Sequence, residues 1–166
     1  MTMILLQTVL VPAAFLCSLV AGFLFAFAVV VMPGLRNLAD GEFIRAFQVV
    51  DGVIRKNQPL FVLVWVGSVL ALVVAAVLGV RELTGAARLL VIVATVVYVF
   101  GVQVPTVTIN IPLNNDLQKL DLASMNDTTR RHAREHFEPR WNRWNVIRSG
   151  WAGLTSILLM LLLLRV

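Results

Sequence analysis

From Met1 to Leu35 the chain carries no charged side chain; the first is Arg36. An apolar run of this length can cross a ~30 Å hydrocarbon core as a helix, because about 20 residues suffice. In lipid, every backbone N–H and C=O must be satisfied within the segment, which leaves helices as the spanning solution here. A signal peptide would want a basic n-region, a shorter apolar core and a cleavage site, so Ile4–Met32 is expected as a retained span. Composition agrees. The 166 residues are 59% hydrophobic and 14% charged, where soluble domains carry roughly a quarter charged residues.

Further runs follow. Leu60–Val80 opens behind Pro59, a third run starts at Arg88, and a fourth extends from Arg140 to Arg165. The expected fold is an all-α, four-helix transmembrane bundle forming a single domain, with spans near 4–32, 60–80, 88–109 and 140–165. Two stripes of small residues recur every fourth position: Ala14, Ser18, Gly22 and Ala26, then Gly67, Ala71, Ala75 and Gly79. Such stripes let helices approach closely, which predicts that spans one and two pack together. Between them, Phe43, Phe47, Val50 and Ile54 alternate with charges at helical spacing, predicting an amphipathic interfacial helix over Glu42–Gln58. A polar helical segment is expected before span four, capped by Asn126 or Asp127 and ended by Pro139. Within it, Arg131–Glu135 and Arg134–Glu138 have the spacing of local ion pairs.

The net charge is +5, and eleven of the fourteen Lys and Arg lie in the first and third loops, when the first turns of the fourth helix, which project through the interface, are counted with the third. Beside apolar spans these bases suit anionic headgroups and topology rather than nucleic acid. They place both loops in the cytoplasm and both termini outside, in a plasma membrane of bacterial type. Cys17 is the single cysteine, so the chain has no disulfide framework and no thiolate cluster.

The stretch Val99–Asn115, VFGVQVPTVTINIPLNN, breaks the apolar pattern. Pro105 should kink the helix by clashing with the carbonyl of Gly101, and Pro112 should close it. Around the kink stand Gln103, Thr106, Thr108, Asn110, Asn114 and Asn115. They form either a helix end fraying into headgroups or the wall of a polar pocket. On the fourth helix, Trp141, Trp144, Arg148, Trp151 and Thr155 share a face beside Asn142, Asn145 and Ser149. That face is either an interfacial aromatic belt or a surface for an aromatic ligand with an oxygen handle. Asn110, Asn114, Asn145 and Arg148 meet the same desolvation problem at the same depth, which predicts that they enclose one site, with Gln48 closing it from below. His132-Ala-Arg-Glu135-His136 spells H-x-x-E-H, but no third ligand converges on it and no metal is expected there. Either two exposed histidines or a single general base is the better reading.

Four pieces occur in order: Ala21–Ala28 running to Met32-Pro-Gly-Leu35; Phe47-Gln48 followed by Asn57-Gln-Pro-Leu-Phe61; Asn110-Ile-Pro-Leu-Asn-Asn115; and Phe137-Glu-Pro-Arg-Trp-Asn-Arg-Trp-Asn-Val-Ile-Arg148. Together they resemble the anthrone oxygenase-like family of small four-span membrane proteins. The resemblance implies oxidation of a hydrophobic polycyclic phenolic substrate by molecular oxygen, without metal or other cofactor. It further implies His136 or His132 as base, Arg148, Asn145, Asn114 and Asn110 around an enolate oxygen, and Trp141 and Trp144 about the rings. Fold alone does not fix chemistry. The alternative is a non-catalytic subunit that binds lipid or quinone, as a homo-oligomer or within a larger membrane complex.

Overall fold

The computed structural model describes residues 2–166. Among them the elements are α1 (Thr2–Ala26), α2 (Met32–Leu35), α3 (Asp40–Arg55), α4 (Pro59–Glu82), α5 (Gly85–Tyr98), α6 (Ile111–Gln118) and α7 (Asp127–Leu163). Three short π-helical segments join some of these into longer rods. Four rods are long and apolar enough to cross a membrane: Met3–Leu35, Pro59–Glu82, Gly85–Gln118 and Asp127–Leu163. They pack as a ring in which α1 contacts α4 and α7, while α5 contacts α7 and α4. Gln7 donates to the carbonyl of Val166, so the two ends of the chain meet at one end of the bundle.

Two prolines expected to end helices, Pro112 and Pro139, do not. Pro33, Pro105 and Pro112 each follow directly on the residue that caps a π segment: Phe27–Val31, Val99–Gln103 and Thr106–Asn110. In each case the capping N–H reaches five residues back, as Val104 does to Val99 and Ile111 to Thr106. A proline ring clashes with the carbonyl four residues earlier, and widening the helix by one residue relieves that clash without ending the rod. Span three therefore continues through Pro105 and Pro112 to Gln118 instead of closing at Pro112. Likewise Pro139 lies inside α7 and ends nothing. The polar segment and span four are one 37-residue helix, capped by Asn126 Oδ1, which accepts from Thr129 N–H at 2.9 Å.

At the end remote from the termini, α3 folds across the bundle against α7 and α6. It buries Phe43, Ile44, Phe47 and Asp51. Arg134 of α7 holds this arrangement, donating to the carbonyls of Leu38 (2.8 Å) and Arg36 (2.9 Å) and pairing with Asp40 (3.1 Å) and Glu138 (2.7 Å). The expected Arg134–Glu138 pair is present. Arg131 turns instead towards Asp40 at 3.9 Å, and Glu135 pairs with His132 at 3.5 Å. The small stripes are half used: Ala14, Ala75 and Gly79 are buried, whereas Gly22 and Ala26 face outwards. Where span three meets α7, Gly101 makes room for Trp151: a Cβ there would lie 2.6 Å from Trp151 Cγ.

Candidate functional site

A cavity of about 340 Å³ lies at the α3 end, between the last turns of span one, α3, the start of α4, span three and α7. Its volume is within the ~300–1,000 Å³ common for small-molecule sites. One side is aromatic. Phe61 stacks on Trp65 (5.4 Å between centroids, 21° between planes), and Phe23 stands edge-on to Phe61 at 5.4 Å. Trp141 is set by Phe27 at 5.7 Å and Phe47 at 5.4 Å. The other side is polar, presenting Thr106, Asn110, Asn114, Asn145, Arg148 and Asp51.

The π segments explain the polar side. An α-helix carrying a single apolar face would turn Thr106 and Asn110 away by steady rotation; the extra residue per π turn re-aims them inwards. Thr106 is 7% exposed and Asn110 2%. Opposite, α7 sends inwards the stripe Phe137, Trp141, Asn145, Arg148, Ala152 and Thr155. This stripe runs between the two faces expected from the sequence, because its steps of four, four, three, four and three follow the 3.6-residue period more closely.

Arg148 points into the bundle and is 3% exposed. It donates to Thr106 Oγ1 at 2.9 Å and to Asn145 Oδ1 at 3.1 Å, and its guanidinium carbon lies 6.0 Å from the Trp141 ring. Its bond to span three is thus to a threonine, not to an asparagine. Among the described residues it has no carboxylate partner, and its Nε–H has no acceptor. Asn145 Nδ2 donates to the Leu24 carbonyl at 3.0 Å, which pins span one to α7. Asn114 is engaged on both sides, donating to Asp51 Oδ1 at 2.8 Å and accepting from Trp141 Nε1–H at 2.7 Å. Asn110 Nδ2 reaches the Trp141 carbonyl at 3.5 Å, leaving its Oδ1 without a donor.

Several site residues named from the sequence lie elsewhere. His132 is exposed at the surface, beside Glu135. His136 borders a separate cleft with Leu113, Leu117 and Phe137, on the outer side of α7. Helical rotation accounts for both: at 100° per residue, nine residues bring half a turn, so His132 stands opposite Trp141 and His136 opposite Asn145. Trp144 is half-buried but outside the cavity wall, so it forms no sandwich with Trp141. Gln48 donates to the carbonyls of Leu117 (2.9 Å) and Leu120 (3.1 Å), tying α3 to the end of span three instead of lining the site.

Asp51 was missed. It is 5% exposed and accepts from Asn114, from Gln118 Nε2 at 2.9 Å and from Arg55 Nε at 2.8 Å. The signal was present: Phe43, Phe47 and Asp51 occupy one stripe of α3, so the carboxylate sits where the apolar face continues. Arg55 also bonds Asn115, and both line the cavity.

A four-span bundle with an aromatic cavity beside a buried guanidinium at one end fits a small integral membrane protein. The anthrone oxygenase family pattern matches residues 52–158, nearly two-thirds of the chain, and includes Asn110, Asn114, Trp141, Asn145 and Arg148. The chain belongs to this family. No curated protein and no solved structure matches it.

Proposed function

We propose that this protein oxygenates a hydrophobic, polycyclic phenolic ketone of the anthrone type within the cavity, using molecular oxygen and no cofactor of its own. The observation that carries the reading is Arg148, a buried guanidinium with neutral partners only. A buried charge is normally paired, so the missing counter-charge is best supplied by an anionic ligand. The aromatic side of the cavity suits a flat ring system. An enolate oxygen at Arg148 meets both requirements.

In this reading Arg148 stabilises the enolate and thereby acidifies the ring methylene of the ketone. A weak base then suffices. Asp51 is the one carboxylate in the lining, held by Asn114, Gln118 and Arg55, and it takes the methylene proton. The enolate transfers electrons to oxygen, and the carbon–oxygen bond forms as a hydroperoxide. Loss of water then leaves the second ketone, so one oxygen atom enters the product and the other leaves as water. The asparagines act through position: Asn114 fixes the Trp141 ring and Asn145 fixes Arg148.

The test is turnover of a hydroxylated anthrone by the purified protein in lipid nanodiscs under ¹⁸O₂. Quinone should form faster than in empty nanodiscs and carry one labelled oxygen at the new carbonyl. Saturable binding with no rate above empty nanodiscs would overturn the enzymatic reading in favour of a non-catalytic lipid- or quinone-binding protein.

A further inference from the structure

The seams between the elements around the cavity are fastened, except along the first turns of α4. Between α3 and span three, Gln48 donates to the carbonyls of Leu117 and Leu120, and Gln118 donates to the Gln48 carbonyl at 2.9 Å. Asn114 to Asp51 and Arg55 to Asn115 extend the same seam. Phe47 packs against Phe137 and Trp141 where α3 meets α7, and Asn145 ties α7 to span one. Phe23 of span one packs against Phe61 and Trp65 of α4. From α4 to span three the links are Ser68 to Tyr98 and, one turn nearer the α3 end, Trp65 Nε1 to Gln103 Oε1 at 3.1 Å. Beyond Trp65, among the described residues, no hydrogen bond and no ring contact crosses from α4 to span three or to α3. There α4 keeps to α1, whereas the π-helical part of span three keeps to α7.

The parted rods leave a cleft with the cavity behind it. Phe61 and Trp65 line the cavity from one side of the cleft, and Thr106, Ile111 and Asn115 from the other. Ile111 lines the cavity and is nevertheless 44% exposed, as is Val50 of α3 at 37%. This corner is therefore where the cavity reaches the exterior. The outer faces of the same two rods carry exposed Leu60, Leu63, Val104 and Val107, side chains that meet acyl chains in a bilayer.

We propose that the ligand enters the cavity sideways from the acyl-chain layer, through the cleft between α4 and span three, with Trp65 and Gln103 at its inner end. The proposal rests on the reading of the cavity as the site of a flat, hydrophobic ring system. Such a compound gathers in the bilayer because water expels its apolar surface, so an opening towards lipid meets it at a far higher concentration. Entry between α3 and span three would have to break the bonds of Gln48, Gln118 and Arg55. Entry through the cleft as far as Trp65 breaks none. The amphipathic α3 then serves as a roof between the cavity and water.

The experiment closes the cleft and reads binding kinetics, apart from turnover. Phe61→Cys and Ile111→Cys are combined with Cys17→Ala, and the two new thiols are bridged by a reducible bis-methanethiosulfonate reagent. Stopped-flow tryptophan quenching in nanodiscs gives association and dissociation rates for anthraquinone, which does not consume oxygen. Bridging should slow both rates by at least about tenfold and leave Kd within about threefold, because a closed doorway raises the barrier in both directions. Reduction should restore the rates in the same protein. Unchanged rates after bridging would overturn the proposal, as would a weaker Kd with an unchanged association rate. Should the variant fail to fold, the native protein decides, in bilayers of a phosphatidylcholine carrying a diazirine on its acyl chain. Irradiation should leave adducts on Trp65 that anthraquinone suppresses; adducts confined to Leu60 and Leu63 would overturn the proposal. Rates that respond to bridging, without anthrone oxidation, would support the doorway and sink the oxygenase reading. Oxidation at a rate indifferent to bridging would do the reverse, and absence of anthraquinone binding would overturn both.

Discussion

Towards the end where the termini meet, the four spans pack side chains such as Leu6, Leu10, Ala13, Leu72, Ala75, Ala94 and Leu159, all fully buried or nearly so. Towards the α3 end Phe27, Phe43, Phe47, Phe137 and Trp141 join Met32, Ile44, Leu113 and Leu117 in the core, and amides and a guanidinium line the cavity beside them. The same four rods build both halves, so the difference lies in the side chains and the helix register. Small and aliphatic groups interdigitate and close the space. Rings joined to polar groups with fixed geometry do not, and a cavity remains. Polar groups in the first half satisfy one another, as Ser68 Oγ and Tyr98 OH do at 2.6 Å. In the second half Arg148 Nε and Asn110 Oδ1 have no hydrogen-bond partner. The comparison teaches that one half closes on itself and the other half leaves a cavity among rings and polar groups.

That division can be broken from either side. In the closed half, Leu72→Ala leaves a void beneath a 1% exposed side chain and should cost about 2–5 kcal/mol of stability. Thermal unfolding in detergent would register the loss, while turnover per folded molecule should hardly change. A comparable loss of activity in the folded fraction would show that the halves are not separable. In the cavity half the reverse is expected. Arg148→Met removes a charge without a carboxylate partner and keeps an apolar stem, so stability should hold or rise. Anthrone oxidation should fall by about 10²–10³-fold, the loss typical of removing one oxyanion donor. If Arg148→Met unfolds the protein while sparing its rate, Arg148 belongs to the scaffold. The smallest effect is expected at His132 and His136, which stand on the outer faces of α7. His132→Ala combined with His136→Ala should leave rate and midpoint within about 0.5 kcal/mol of the native protein. A pH–rate profile that loses its limb near neutral pH in this double variant would return the histidines to the chemistry.

The histidines also show how sequence and structure divide the information. Their distance from the site was already contained in the helix period, once Trp141 and Asn145 were known to point inwards. Which face of α7 turns inwards was not contained there, because a helix with tryptophans, arginines and asparagines on adjoining faces offers several polar stripes. Packing against Leu24, Phe27 and Thr106 chose among them.

By itself the sequence determined the four spans, the amphipathic helix over the bundle end and the convergence of span three with α7 on one polar region. Hydrophobic period, chain length and the cost of bare amides in lipid are local properties, legible without neighbours. Tertiary structure alone decided the rest. A proline in sequence signals a clash with the carbonyl four residues back, but whether the helix kinks, stops or widens depends on the neighbouring rods. Here three of them widen, and that adjustment aims Thr106 and Asn110 inwards. Asp51 reads as one charge among several on an interfacial helix until α3 is laid over the end of span three. The donors of Asn114, Gln118 and Arg55 then surround it, and they come from positions distant in the chain or one turn along. Hydrogen-bond partners at such separations are set by packing, which no period in the sequence encodes.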